Sequence, residues 1–158
     1  MTNLDSFREI VSRFSSAQLL VRHENAEHHP FELRDVHPDL PPKVRKLFDD
    51  GHYPESTFEA CKYLDNFVGR YAPKTKAGEK RMMDAFAETN PIIQLTGLTD
   101  QTEIDEQRGY RFLFAGTMVA IRNPRGHQDS GVDDPLTCLD HLAIVSTLLR
   151  RLNKAGFK

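Results

Sequence analysis

The sequence has 158 residues, a size that holds one ordinary domain with its own core. Apolar residues make up 39% and charged residues 28%, the balance of a folded soluble protein, and no apolar run is long enough to span a bilayer. The formal net charge of -2 argues against a protein that coats nucleic acid through bulk charge, but it leaves room for a local basic patch that grips a short stretch of RNA.

In chain order, Leu4, Phe7, Val11, Phe14 and Leu19 recur at helical spacing and predict a helix over 4–20. The first nine residues lack the basic-then-apolar pattern of a secretion signal, so a cytoplasmic protein without a membrane anchor is expected. Residues 21–39 are polar and contain His23, His28, His29 and His37 with Pro30 and Pro38, which reads as a linker. The histidine spacings match no familiar ligand set and no cysteine joins them, so neither a metal nor a cofactor is expected. The chain thus divides into 1–36, a helix with a polar linker, and 37–158, the main domain.

In the main domain, Leu40, Val44, Leu47 and Phe48 mark a short helix, with Pro41 and Pro42 in its first turn and Gly51 at its stop. Thr57, Cys61, Leu64, Val68 and Tyr71 form the stripe of a second helix over 54–71, which Pro73 ends. A third helix is expected over 78–88, with Met82, Met83, Ala85 and Phe86. Ile92, Ile93 and Leu95 are apolar enough for a short strand, but an isolated strand is marginal, so 89–100 reads as an ordered loop. A fourth helix is expected over 103–121. Its second half, Tyr110 to Ile121, is apolar almost all round and is expected to be buried on several sides, in a core or in a core plus a subunit interface. Asp134 and Pro135 start the last helix, in which Cys138, Leu142, Val145, Leu149 and Leu152 repeat. The fold class is all-α: an antiparallel helical bundle with an extra N-terminal helix. Cys61 and Cys138, the only cysteines, fall in helical patterns and read as reduced, half-buried thiols.

Arg122-Asn123-Pro124-Arg125-Gly126-His127 follows directly on the apolar helix. Pro124 disfavours helical geometry at Asn123, so the helix should stop or distort there, and Gly126 frees the backbone before His127. This set suits attack on an RNA phosphodiester, where the ribose 2′-hydroxyl is the nucleophile. The protein has only to move protons, which His127 can do, and to stabilise phosphorane charge, which the Arg122 fork can do. Asn123 can orient the phosphate or the histidine, and no metal is required. Spacing alone is weak: Arg22 with His28 and Arg45 with His52 fit it too, and from spacing alone a solvated helix end with a loop histidine is the better explanation.

Arg122, with Asn123 next to it and His127 after four intervening residues, between two long helices, resembles the signature of HEPN domains. The Ymh-type branch is closer. It resembles this chain in His37-Pro38, Gly51-His52, Met82 to Phe86, Gln107 to Gly109, Phe114 to Met118 and Ile121 to Pro124, over roughly residues 37 to 152. Gly126 stands where that branch would carry a residue such as Ala. The resemblance implies a metal-independent endoribonuclease, with Arg122, Asn123 and His127 catalytic. It also implies a homodimer whose two motifs share one composite cleft, and a toxin or anti-phage effector with an antitoxin or defence partner. RNA, tRNA or mRNA, is the expected substrate.

Lys74, Lys76, Lys80 and Arg81 cluster near a glycine; Lys74 and Lys76, with Arg125, are candidate contacts to a phosphate backbone, although a solvated loop explains them as well. Asp134 reads as a helix cap, Asp129 as a possible orienter of His127, His52 as a helix-end residue and His141 as structural or solvated. Two readings compete with the enzyme: a non-catalytic module that binds RNA, nucleotide or a partner protein, and a structural dimerisation domain, which explains the apolar helices but not the polar motif.

Overall fold

The computed structural model describes residues 28–127 and 133–158. The helix expected over 4–20, together with His23 and Asp129, lies outside the described residues. The chain divides after Asp35. In the first unit, Pro30–Leu33 forms a one-turn helix, α1, where a linker was expected. His29 Nδ1 accepts from the Phe31 N–H at 3.1 Å, and Glu32 accepts from the His29 N–H at 2.8 Å. This reciprocal capping, with Pro30 pre-set in the first turn, is enough to close the helix locally.

The second unit, from Val36, is all-helical in its described residues: α2 Pro42–Asp49, α3 Tyr53–Tyr71, α4 Glu79–Ala85, α5 Gln101–Gly116, a π-helical turn Thr117–Arg122, α6 Asn123–His127 and α7 Pro135–Lys154. It is a helical bundle. α3 lies at its centre, packed against α2, α4, the π turn and α7. The core is built from Leu64, Met82, Phe86, Phe114, Met118, Leu142 and Leu149, with the Phe86 and Phe114 rings stacked at 4.2 Å. His37 opens the unit and is buried. Its N–H donates to Ser146 Oγ, its Nδ1 accepts from the Asp39 N–H, and its Nε2 lies 3.0 Å from the Asn153 amide. Both cysteines are fully buried rather than half-buried.

The starts of α2, α3 and α7 fall within a residue of where Pro42, Pro54 and Asp134-Pro135 place them, because such signals act through local geometry alone. Asp134 caps α7 as expected, accepting from the Leu136 and Thr137 N–H groups. One element differs. α4 ends at Ala85, not near Glu88, because a distant loop takes over its last carbonyls: Ile93 N–H donates to Ala85 O and Gln107 Nε2 to Phe86 O. That loop carries no strand; Ile93 and Leu95 are buried while Ile92 is half exposed.

Gln107, fully buried on α5, holds the loop in place. Its amide also donates to Ile93 O at 3.0 Å, and its Oε1 accepts from the Leu95 N–H at 2.8 Å. Gln107→Leu would leave an N–H and two carbonyls buried without partners. We expect it to lower unfolding stability by about 2–4 kcal/mol, read as a shifted urea midpoint with unchanged slope.

At Pro124 the helix was expected to stop or distort, and it distorts. The helix does not stop: it runs on as α6, and Asn123 is helical at φ -63, ψ -43 despite preceding a proline. Pro124 has no N–H with which to continue an α ladder. The chain instead widens into the π turn, where Asn123 N–H reaches back five residues to Met118 O. The Arg125 guanidinium supplies one further donor, Nη1 to Ile121 O at 2.7 Å.

The apolar helix is also less buried than expected. Phe112 is 52% exposed, Leu113 55% and Val119 44%. With Gly109, Gly116 and Ala120, also exposed, they form one open stripe that ends at the motif.

Candidate active site

The π turn ends on Arg122. The guanidinium carbon lies 5.6 Å from the centre of the Phe58 ring on α3, a cation–π contact. Nη1 lies 3.4 Å from Asn123 Oδ1, a long hydrogen bond that places the two motif residues side by side. Nε is shielded from water and has no acceptor. No carboxylate pairs with Arg122 among the described residues. The group is therefore held by an aromatic face and a rigid backbone, with donors unspent.

Two glycines shape this cradle. A side chain at Gly78, the N-cap of α4, would meet Arg122 Nη1 at 3.6 Å, so the loop passes close over the guanidinium. Gly126 was expected to free the backbone before His127, but it sits in regular helix. Its role is steric: a Cβ there would come within 2.8 Å of the Phe58 ring. The alanine expected at this position would push on the ring that carries Arg122, which accounts for the glycine in this chain.

Asp65, buried on α3, fixes the loop from Pro73 to Gly78. Its two carboxylate oxygens accept from the Gly78 N–H, each at 3.1 Å, and Oδ1 accepts from Arg81 Nη1 at 2.9 Å. The basic cluster read from the sequence is thereby split. Arg81 is tied to Asp65 and Lys80 lies 3.3 Å from Asp84, whereas Lys74 and Lys76 are exposed on the loop that ends against Arg122.

Arg125 is engaged elsewhere. Its Nε and Nη2 bind Asp133 in a two-pronged pair at 2.5 and 2.7 Å, and each side chain is only 13% exposed. A phosphate at Arg125 would have to displace a fitted carboxylate, so the structure makes it a strut between α6 and the start of α7. Sequence reading missed Asp133; its place one residue before a helix cap is the only hint. His127 closes α6 through its backbone, and its side chain lies outside the described part. His52 is exposed at the N-cap of α3, without a side-chain cap bond, as a helix-end residue.

His141 is a further member. It stands on α7 beside the Arg125–Asp133 pair, with Nδ1 buried and without a partner. Burial foremost, then the Arg125 charge, pushes its pKa below 6.5, against the opposing pull of Asp133 and Asp140. Its folded pKa lies below the unfolded one, so its contribution to stability is full above 6.5 and is lost as pH falls through the folded value. We expect His141→Gln to flatten the loss of stability as the pH falls below 6.5, measured by urea unfolding. An equally steep loss in the variant would assign it to other groups.

Below the motif, burial pushes the Cys61 thiol up to about 12, despite the nearby Arg125 and Arg122 charges, and burial also raises Cys138. Neither is a nucleophile near neutral pH. Among the described residues no helix is long and apolar enough to cross a membrane, and no cluster of three metal-ligating side chains occurs.

Residues 34–152 match a family model described as "Protein of unknown function (Hypoth_ymh)". The chain matches no curated protein and no solved structure.

Proposed function

The chain belongs to the Hypoth_ymh family, and we propose that it is a metal-independent endoribonuclease of the HEPN type, acting as a toxin or anti-phage effector in the cytoplasm. The observation that carries this reading is the state of Arg122: immobilised over Phe58, beside Asn123, unpaired with any described carboxylate and with a buried Nε that lacks an acceptor. A half-buried cation whose Nε is shielded and lacks an acceptor is unfavourable by itself and suited to a site where anionic charge arrives.

In this mechanism the 2′-oxygen attacks the adjacent phosphorus and the bond to the 5′-oxygen breaks. The products are a 2′,3′-cyclic phosphate and a new 5′-hydroxyl. A base takes the 2′-proton and an acid delivers one to the leaving 5′-oxygen; His127 serves as one of these. Arg122 binds the phosphorane oxygens and Asn123 orients the phosphate. Lys74 and Lys76, exposed on the loop beside Arg122, guide the RNA backbone, and Arg125 acts through Asp133 by holding α6 in place. The open stripe of Phe112, Leu113 and Val119 suits a two-fold contact between copies. With the two-fold axis near the motif end of the stripe, such a dimer would bring two motifs into one cleft, where the second His127 supplies the other proton transfer. An antitoxin or defence-system partner would regulate it.

The alternative, a non-catalytic module that binds RNA, nucleotide or a partner, gains from one observation: Arg125, a cation of the motif segment, is already consumed by Asp133. The deciding experiment is cleavage of total RNA and of tRNA in EDTA by the wild type, Arg122→Ala and His127→Ala. Metal-free cutting to cyclic-phosphate ends, lost in both folded variants, supports the enzyme. Tight RNA binding without cutting in all three supports the module.

A further inference from the structure

Arg125 ties the motif segment to the start of α7. Its Nε and Nη2 grip the Asp133 carboxylate at 2.5 and 2.7 Å, and its Nη1 donates to Ile121 O at 2.7 Å. Asp133 stands one residue before the N-cap of α7, and Arg125 stands in the middle of α6. With 5 residues, α6 is too short to hold its own helical form, so it depends on such ties. The same segment sets Arg122 over Phe58 and beside Asn123. Whatever opens the Arg125–Asp133 pair therefore unlocks the motif.

His141 is the titratable group set against that pair. It lies half-buried on α7, and its Nδ1 is shielded from water without a hydrogen-bond partner. The charges that act on it are Arg125 from α6, Asp133 from the start of α7 and Asp140 from its own helix. From α3, which packs on α7, the titratable group in the field of Arg125 is the Cys61 thiol; burial raises it and Cys138, so both stay uncharged. A neutral imidazole fits this place, because one of its nitrogens need not donate. An imidazolium does not fit. Both of its nitrogens donate, so Nδ1 would need an acceptor that it lacks, and the Arg125 guanidinium opposes the new charge. Asp140, exposed one position earlier, turns to the next face of the helix. Asp133 is then the carboxylate that two cations must share.

We propose that the Arg125–Asp133 pair is a proton-sensitive latch on the motif, with His141 as its sensor: the latch is closed while His141 is neutral and opens when His141 takes up a proton. The direction follows from linkage. In the closed latch, burial foremost and then Arg125 lower the proton affinity of His141. Proton binding therefore favours an arrangement in which Arg125 stands farther away, and acid shifts the population toward it. Opening releases α6 from α7 and loosens the setting of Arg122 and Asn123 against α3. The consequence for RNA cleavage, a loss as the pH falls, rests on the ribonuclease reading; the latch itself does not.

The test is an NMR titration of the full chain that follows the Arg125 Nε–H signal and the His141 ring together, from above pH 6.5 down to about pH 4, where carboxylates titrate. The Arg125 signal is expected to shift or broaden in one step that coincides with protonation of His141. The Arg81 Nε–H, which donates to Thr75 beside the Asp65 pair, should stay unchanged in the same spectra, which separates opening of the latch from global unfolding. In His141→Gln the Arg125 signal should hold until the carboxylates titrate, and Arg125→Gln should shift the His141 midpoint upward. The proposal is overturned if the Arg125 signal passes through the His141 titration unchanged, or is lost only together with that of Arg81. It is also overturned if the same step persists in His141→Gln. Should either variant fail to fold, the coincidence of the two wild-type signals still decides. Absence of cleavage at every pH, with the step intact, would reject the enzyme and leave the latch standing.

Discussion

Arg122→Ala is expected to reduce RNA cleavage by about 10²–10³-fold, the effect of removing one preorganised donor group from a charged transition state. The loss should fall on kcat more than on KM, because the phosphorane carries more charge toward the guanidinium than the ground-state phosphodiester does. Stability should change little. The cation–π contact with Phe58 contributes roughly 0.5–1 kcal/mol at most exposed sites, and deleting the side chain also removes a buried Nε that has no acceptor. Arg122→Lys should recover only a small part of the rate, since an ammonium lacks the fork that engages two oxygens at once. Single-turnover cleavage of a short RNA and a thermal melt, run on the same preparations, separate the two effects. A variant that keeps near wild-type cleavage would remove Arg122 from the chemistry and, with it, the assignment of the motif.

Asp65→Ala has the largest expected effect on folding. The carboxylate is 5% exposed, receives the Gly78 N–H on both oxygens and is the charge partner of Arg81. Removing it leaves a largely buried guanidinium without compensation and a helix start without its acceptor, a loss of about 3–5 kcal/mol. For a chain of this size that corresponds to a melting temperature lower by about 10 °C. Asp65→Ala/Arg81→Met should recover part of this loss, because the stranded charge is then gone too. Cleavage should also fall at temperatures where the variant is still folded, because Gly78, which borders Arg122, loses its anchor. A melting temperature within about 2 °C of the wild type would mean that solvent reaches the pair and screens it.

The structure sorts the residues of the motif segment by what they touch. Arg122 and Arg125 are three residues apart and chemically alike, yet one lies over Phe58 without a carboxylate partner and the other is clasped by Asp133. No spacing rule distinguishes them, because the difference comes from α3 in one case and from the start of α7 in the other. The same holds for the four-residue basic cluster: Arg81 is tied to Asp65, sixteen positions earlier, while Lys74 and Lys76 remain open.

What the sequence by itself determined is everything set by neighbours along the chain. Pro42, Pro54 and the Asp134-Pro135 pair start their helices, Gly51 at φ +81 ends one, and the repeat from Cys138 to Leu152 gives the buried face of α7. Caps, prolines and periodicity act over one or two turns and need no partner from elsewhere. The motif was legible in the same way, as a polar, basic segment between two apolar helices. Only the tertiary structure decided the rest. Ile93 and Gln107 end α4 early, Gly126 makes room for Phe58, and one side of the apolar helix stays open at Phe112 and Leu113. Each depends on a hydrogen bond, ion pair or close contact between residues far apart in sequence, or on how many neighbours reach a helix face. Such terms exist only once the helices have packed.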